Sequence, residues 1–349
     1  MERRHRTVAV FLAAASVTAV GVGLAALAHV SAGGAERQAG RLPPVTRFMP
    51  ADSGIVLYGN LAAVLESPLA DHWSAGTGGR YPDELERFQD WTGIDPRVDL
   101  DTACITWGRR QNAEQDPIGP GTDWGLAVTG DLQPDRLIGS IERELARPEA
   151  KATFERTVHR TTPLYLFRFK QSPSRRADTQ ALAFPDPSTA LFGTPERLKE
   201  MLDAGSGRAA PFAGSALGRW FEGLAHGDEE LWVAGSAERG LSRLWPRQGG
   251  TGAPLPPLKF FALSAHLGPA LEAAAHGEAV DAESARKLAD VVRGFIALGS
   301  LQQQREAEVV ALLNAVEIQS AENRVEMSLS IPYETLSRLA TRKRKAADQ

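Results

Sequence analysis

Cysteine is almost absent. Cys104 is the one thiol in 349 residues, which excludes an intrachain disulfide and any multi-cysteine metal centre. No Gly-x-Ser-x-Gly occurs, so the nucleophile elbow of the α/β-hydrolases is missing. No His-Glu-x-x-His occurs either. Past the N-terminal stretch the histidines are His72, His159, His226, His266 and His276, none with another two to five residues away, so helical or loop zinc spacing is lacking. A strong charge of one sign is lacking too. With 39 basic and 43 acidic residues the net charge is −4, which argues against a nucleic-acid-binding surface. Hydrophobic residues make up 43% and charged residues 23%, an ordinary globular balance that excludes a disordered chain.

What is present begins at the N-terminus. Arg3, Arg4 and Arg6 precede Thr7 to Val30, a run of 24 residues without a formal charge. A helix of that length extends about 36 Å, enough for a hydrocarbon core of about 30 Å. The positive flank keeps the N-terminus cytoplasmic and sends the remainder across the membrane. Two outcomes are open to such a segment. It stays as a single-pass signal-anchor over residues 1–32, or it is cut after Ala28 or Ala32, where small residues have the required spacing, and the chain is secreted. No cysteine follows the run, so a lipoprotein anchor is excluded. Without residues 1–32 the exported part carries a charge of −6.

Residues 33–45 (GGAERQAGRLPPV) offer little to bury and read as a linker. Pro50-Ala-Asp-Ser53 reads as a turn before a buried strand, GIVLYG (54–59), and a short helix capped by Asn60. Strands follow at 102–108, 124–130, 164–169, 180–184 and 189–192. Pro134 opens a helix with Leu137, Ile138, Ile141 and Leu145 on one stripe. Thr194-Pro195 is an N-cap and first-turn pair for a helix through Leu198, Met201 and Leu202. Beyond the loop 204–215, a helix (ALGRWFEGL) leads to strands at 230–236, 259–267 and 270–280. Asp281 then caps a long helix whose Ala285, Leu288, Ala289, Val292, Phe295 and Ile296 are expected to face inward. A helix at 304–313 and a hairpin of 316–321 with 324–331 complete the fold. Val325, Met327, Leu329 and Ile331 alternate with polar residues, as in an antiparallel sheet with one wet face.

The order of elements repeats. ADSGIVLYG (51–59) answers to GDEELWVAG (227–235). The strand-to-helix passage 126–145 answers to 272–295, and TALFGTPERLKEML (189–202) to VEMSLSIPYETLSRL (325–339). The expected fold class is therefore α+β. It comprises an N-terminal transmembrane helix, then a duplicated α+β unit over 46–205 and 206–341, with antiparallel sheets, helices packed on one face and a basic tail at 342–349. The opening RFMPADSGIVLYGNLAAVLESPL, with TGIDPRVDLDTACITWG (92–108) and TALFGTPERLKEML, resembles a family of uncharacterised bacterial exported proteins. These carry an N-terminal anchor and a Pro-Ala-Asp, strand, helix opening. The resemblance spans residues 46–340 and implies no assigned activity, so no functional residue follows from it.

Patterns that touch on chemistry have plain structural readings beside them. Ser284-Ala-Arg-Lys287 matches Ser-x-x-Lys, but its companion Ser-Asp-Asn and Lys-Thr-Gly elements are missing, and a solvated lysine stays protonated. His226-Gly-Asp228-Glu229-Glu230 reads as a solvated turn before a cation site. His266 and His276 fall on adjacent strands, with Ser264 and Glu272 near the same face, and hairpin pairing is the condition for a shared site. Ala75-Gly-Thr-Gly-Gly79 has no preceding strand and reads as a loop rather than a phosphate cradle. Arg342-Lys-Arg-Lys345 is a charged terminus with anionic lipid or polymer as its conceivable contact. Trp73, Trp91, Trp107, Trp124, Trp220, Trp232 and Trp245 are core candidates first and groove candidates second.

The sequence thus favours a non-catalytic, membrane-anchored envelope protein. Its bulk is periplasmic, at the cytoplasmic (inner) membrane, and it acts as a binding or interaction module. It is expected to have no cofactor, metal or catalytic residue. Its expected partners are the membrane, through residues 7–30, and an envelope protein or polymer, with no nucleic acid. The alternative is an exported hydrolase whose acid and base are dispersed carboxylates. A reporter active only outside the cytoplasm, fused after Gln349, is expected to be active. An intact but silent fusion rules out export, and a loss of about 3 kDa on a gel identifies cleavage after Ala32.

Overall fold

The computed structural model describes residues 41–68, 70, 85–86, 88–90, 92–108, 123–146, 152–169, 179–237, 256–302, 307–336 and 338. The apolar run 7–30, the glycine-rich loop 75–79 and the basic tail lie outside these residues. Among the described residues no helix is long and apolar enough to cross a membrane. The described chain divides into two compact units, one from 42–62 and 85–219, the other from 63–70 and 220–338. Both are built on antiparallel sheet with helices, an α+β arrangement.

The first unit opens with a 3-10 turn, Pro44–Phe48. Leu42 and Val45, inside the segment read as linker, are buried. At the Pro-Ala-Asp-Ser turn both the Ser53 amide (3.1 Å) and hydroxyl (2.6 Å) donate to the Pro50 carbonyl. The chain then enters β1 (Ile55–Asn60) and α1 (Leu61–Glu66). β2 (Leu100–Trp107) and β3 (Trp124–Gly130) extend the ladder, with Leu57 opposite Ile105 and Ile105 opposite Leu126. After α2 (Pro134–Leu145) come β4 (Ala152–His159), β5 (Thr162–Phe169), β6 (Thr179–Asp186) and β7 (Thr189–Gly193). β7 returns to pair with β3, so the order is β1-β2-β3-β7-β6-β5-β4. Helix α3 (Pro195–Gly205) follows, and α4 (Ala216–Glu222) carries the chain across 219/220 from the first unit into the second.

Successive strand residues face opposite sides of a sheet. α2 packs its expected stripe, Ile141 with Leu137, Ile138 and Leu145, on Phe167, Leu182 and Phe192. α3 takes the other side. Gly125, whose neighbour Leu126 pairs with Phe192, meets Met201 of α3, and a Cβ on Gly125 would collide with that sulfur. The expectation of helices on one face therefore fails in this unit. β3 and β7 are apolar or side-chain-free on both faces, so each face needs cover.

α3 is fixed by a buried guanidinium. Arg197, 1% exposed, donates from Nη1 to Asp52 Oδ1 (2.8 Å) and Glu200 Oε2 (2.7 Å). Its Nη2 donates to Ser53 Oγ (2.9 Å) and Thr106 Oγ1 (3.0 Å), and its Nε is buried without a partner. A cation in the first turn of a helix opposes the macrodipole, so the two carboxylates compensate for position as well as burial. Thr194 occupies the N-cap position without capping. Its hydroxyl turns toward Asp123 and the Trp124 carbonyl, and Pro195 alone supplies the expected start signal.

In the second unit β8 (Leu231–Ser236), β9 (Leu258–Leu267) and β10 (Leu271–Ala279) form the ladder. Helices α5 (Ala282–Gln302) and α6 (Ala307–Asn314) precede the hairpin of β11 (Glu317–Ala321) and β12 (Arg324–Ile331). β12 pairs with β10. Val325, Leu329 and Ile331 are buried and Arg324, Glu326 and Ser330 exposed, as the alternation requires, although Ser328 is buried as well. Asp281 accepts the Ser284 amide at 2.7 Å and caps α5 as expected.

Two expectations change. β4 has no counterpart in the sequence reading. It is an edge strand with Val158 59% exposed, and an edge needs no continuous apolar face. On α5, Ala285, Leu288 and Ala289 are buried with Val292 packed against them, whereas Phe295 is 50% exposed. At 100° per residue, Phe295 lies at the margin of the stripe that 285, 289, 292 and 296 define. Leu288→Ala should cost about 2–5 kcal/mol. Phe295→Ala should cost less than half as much, and Arg286→Ala should stay within about 0.5 kcal/mol. Urea denaturation measures all three, and a Phe295 cost equal to that of Leu288 would contradict this packing.

Candidate functional site

β4 and β5 are joined through Arg160 and Thr161, with His159 opposite Thr162. Arg160 takes φ +57°, the left-handed region that favours glycine. The strain has a compensation. The Arg160 guanidinium forks onto Asp203 near the end of α3, with Nε to Oδ1 at 2.7 Å and Nη2 to Oδ2 at 2.9 Å. His159 Nε2 lies 3.1 Å from the same Oδ1. The hydrogen bond from Arg160, aided by that from His159, outweighs partial burial and holds the Asp203 carboxyl down at about 2.

These residues line one side of a cleft of about 370 Å³, within the range of small-molecule sites. The opening turn contributes Arg47 and Phe48, the end of β6 contributes Asp186, and the chain after α3 contributes Ser206 and Arg208. Arg47 lies 4.7 Å from the Phe48 ring centroid and donates to Asp186 Oδ2 at 3.2 Å. Asp186 Oδ1 accepts from both the amide (3.1 Å) and the hydroxyl (2.9 Å) of Ser188. Gly205 has no room for a Cβ, because Phe48 packs directly against it. The arrangement is a polar cleft whose two carboxylates already have hydrogen-bond donors on every oxygen. That suits holding a ligand better than moving a proton.

The candidates read from the sequence come apart. Lys287 is exposed and paired with Glu283 at 2.6 Å, which raises its pKa and keeps it protonated. Ser284 is buried in the first turn of α5, where its amide donates to Asp281. Glu229 accepts from the His226 (2.7 Å) and Gly227 (2.9 Å) amides and so closes its own turn. Glu230 accepts the Leu267 amide at 2.8 Å and lies 3.0 Å from His266 Nδ1. His266 and His276 do not meet. The register sets His266 opposite Glu272 and His276 opposite Ala262, four residues further along β9, or about 14 Å. Ser264 pairs with Ala274. Among the described residues no group of three or more His, Cys, Asp or Glu could hold a metal ion.

Desolvation lowers the pKa of His276, with Glu326 opposing and His226 adding to the shift. Cys104 is fully buried, and burial pushes its thiol well above the ordinary range. Trp107 and Trp232 are core residues, Trp124 meets Phe192 edge-on at 5.5 Å, and Trp220 packs on Phe260 at 5.5 Å. Trp73, Trp91 and Trp245 lie outside the described residues.

The cleft residues were not singled out in the sequence. They come from positions 47, 159–162, 186 and 203–208, and no spacing rule joins them. The one local signal was a polar His-Arg-Thr-Thr run ahead of a strand, legible as a hairpin only once β4 is known.

No family model matches the chain, and no curated protein matches it. Among solved structures it is similar to crystal form I of TP0453. The two share 11% identity at a TM-score of 0.41, over 86% of this chain and 98% of that one, a likeness too slight to bear on function.

The Asp203 carboxyl is depressed from 3.8 to about 2 in the folded protein. Its stabilising contribution is therefore complete above pH about 4 and lost as pH falls from there toward 2. Melting temperature against pH should fall less steeply over that window in Asp203→Asn than in the wild type. Parallel curves would contradict the fork.

Proposed function

We propose that this chain is a non-catalytic binding module of the bacterial envelope, held at the cytoplasmic membrane by residues 7–30, with the cleft of the first unit as its ligand site. The observation that carries the reading is the cleft itself. It has the volume of a small-molecule site, lies at the junction of a hairpin turn, a helix end and the opening turn, and has hydroxyl and guanidinium groups on its walls. Asp203, held near 2, is ionised throughout the physiological range and has no proton to donate there. Its lone pairs are engaged by Arg160 and His159, which makes it a poor base.

Duplication of one α+β unit, over 46–205 and 206–341, belongs to the same proposal. It is supported by connectivity. In each unit three successive antiparallel strands lead into a helix, and the last strand of a later hairpin returns to pair with the third, β7 with β3 and β12 with β10. Each return strand is followed by a proline and a helical turn, at Pro195 and Pro332.

The test is site-specific photo-crosslinking of the full chain in intact cells. A probe at Thr161 or Ser206 should give adducts with an envelope component, and one at the exposed control position Arg97 should not. Equal adducts from all three positions, or none from the cleft, would refute the site. Labelling by a serine-directed acylating reagent that Ser284→Ala abolishes would refute the non-catalytic reading.

A further inference from the structure

The cleft carries three arginines against two carboxylates, and the pairing leaves cationic capacity over. All four carboxylate oxygens of Asp186 and Asp203 already have donors. Arg160 spends two of its five N–H groups on Asp203, and Arg47 spends one on Asp186. The Arg208 side chain makes no hydrogen bond or ion pair among the described residues, although its amide is bonded to the Asp203 carbonyl at 2.8 Å. Thr161 and Thr162 add hydroxyl donors to the same walls.

A helix C-terminus ordinarily repels an anion, because its last carbonyls are unpaired. Here that end is blunted by the chain that follows it. The Ser206 amide bonds to the Leu202 carbonyl (3.0 Å), Gly207 to Ala204 (3.0 Å), and both Arg208 (2.8 Å) and Ala209 (3.0 Å) to Asp203. The Ser206 hydroxyl adds a further bond to the Asp203 carbonyl at 3.2 Å. With the Leu202, Asp203 and Ala204 carbonyls bonded and both carboxylates paired, the unmatched groups on the cleft walls are mainly N–H donors and positive charge. Guanidinium groups present their donors as planar forks matched to the paired oxygens of phosphate and carboxylate.

The geometry points to this cleft as a site for an oxyanion, a phosphate or carboxylate group borne by a small molecule, gripped by Arg208 together with the spare N–H groups of Arg160 and Arg47. The assignment rests on the reading that the cleft is the binding site and adds the chemistry of what it takes.

The experiment is hydrogen exchange read by mass spectrometry on the full chain in neutral detergent, at constant ionic strength. Inorganic phosphate and acetate are compared with chloride, so that the two oxyanion sources are separated. Either oxyanion should slow exchange saturably in segments 159–162 and 202–208. Arg208→Ala should weaken that binding about tenfold, the worth of one charge-assisted hydrogen bond. Arg208→Lys should recover part of it and Arg97→Ala should change nothing. The oxyanion assignment is overturned if neither anion protects these segments, or if the protection is equal in Arg208→Ala. A neutral glycan fragment that protects both segments while the anions do not overturns the oxyanion but leaves the cleft as the binding site. Oxyanion protection confined to other segments overturns both.

Discussion

A guanidinium with 1% of its surface exposed has to be met by enough acceptors, and the first unit is arranged around that demand. Arg197 draws on the turn before β1 through Asp52 and Ser53, on β2 through Thr106, and on its own helix through Glu200. Three segments far apart in sequence thus share one charge. Removing a partner from such a group leaves a buried charge uncompensated, typically at a cost of about 3–5 kcal/mol. The group also fixes α3 in direction as well as depth, because three of its four bonds run to the turn before β1 and to the end of β2. Gly125 then lets the helix press onto β3, where any side chain would meet Met201.

Fixing the first turn of α3 sets where its last turn falls, and the cleft is built on that last turn. Asp203 receives Arg160 and His159 from the β4–β5 turn, so the strained Arg160 backbone is held by a side-chain fork reaching across the unit. Ionic groups do two kinds of work here. Arg197 and Asp203 hold segments together, while Arg208 and the unused donors of Arg47 and Arg160 are left on a wall.

Most of the elements were legible from periodicity and capping. The stripe of α2, the Asp281 cap and the alternation along β12 are local patterns, and each appears as read except at Met327 and Ser328 of β12, where the one is half-buried and the other buried. The missed strand β4 lies at an edge, where pairing on one side and an exposed opposite face remove the apolar alternation that marks a strand. Phe295, large and near the stripe, reads as inward in the sequence, but the helix rotation puts it at the margin. Asp52 and Arg197 were visible only as parts of recurring turn phrases. Their meeting is a contact across 145 residues, which no window of the sequence contains.

The sequence by itself determined what local chemistry decides. It gave the α+β class, the apolar run 7–30, the positions of most strands and helices, and the lack of thiol, zinc and nucleophile-elbow motifs. These follow from side-chain period, from the backbone demands of proline and glycine, and from plain residue counts. Only the tertiary structure decided which helix covers which face, that His266 and His276 stand apart, and that Arg47, Arg160, Asp203 and Arg208 line one cleft. Register and long-range packing set those distances, and both depend on all the strands of a sheet closing together rather than on any one segment.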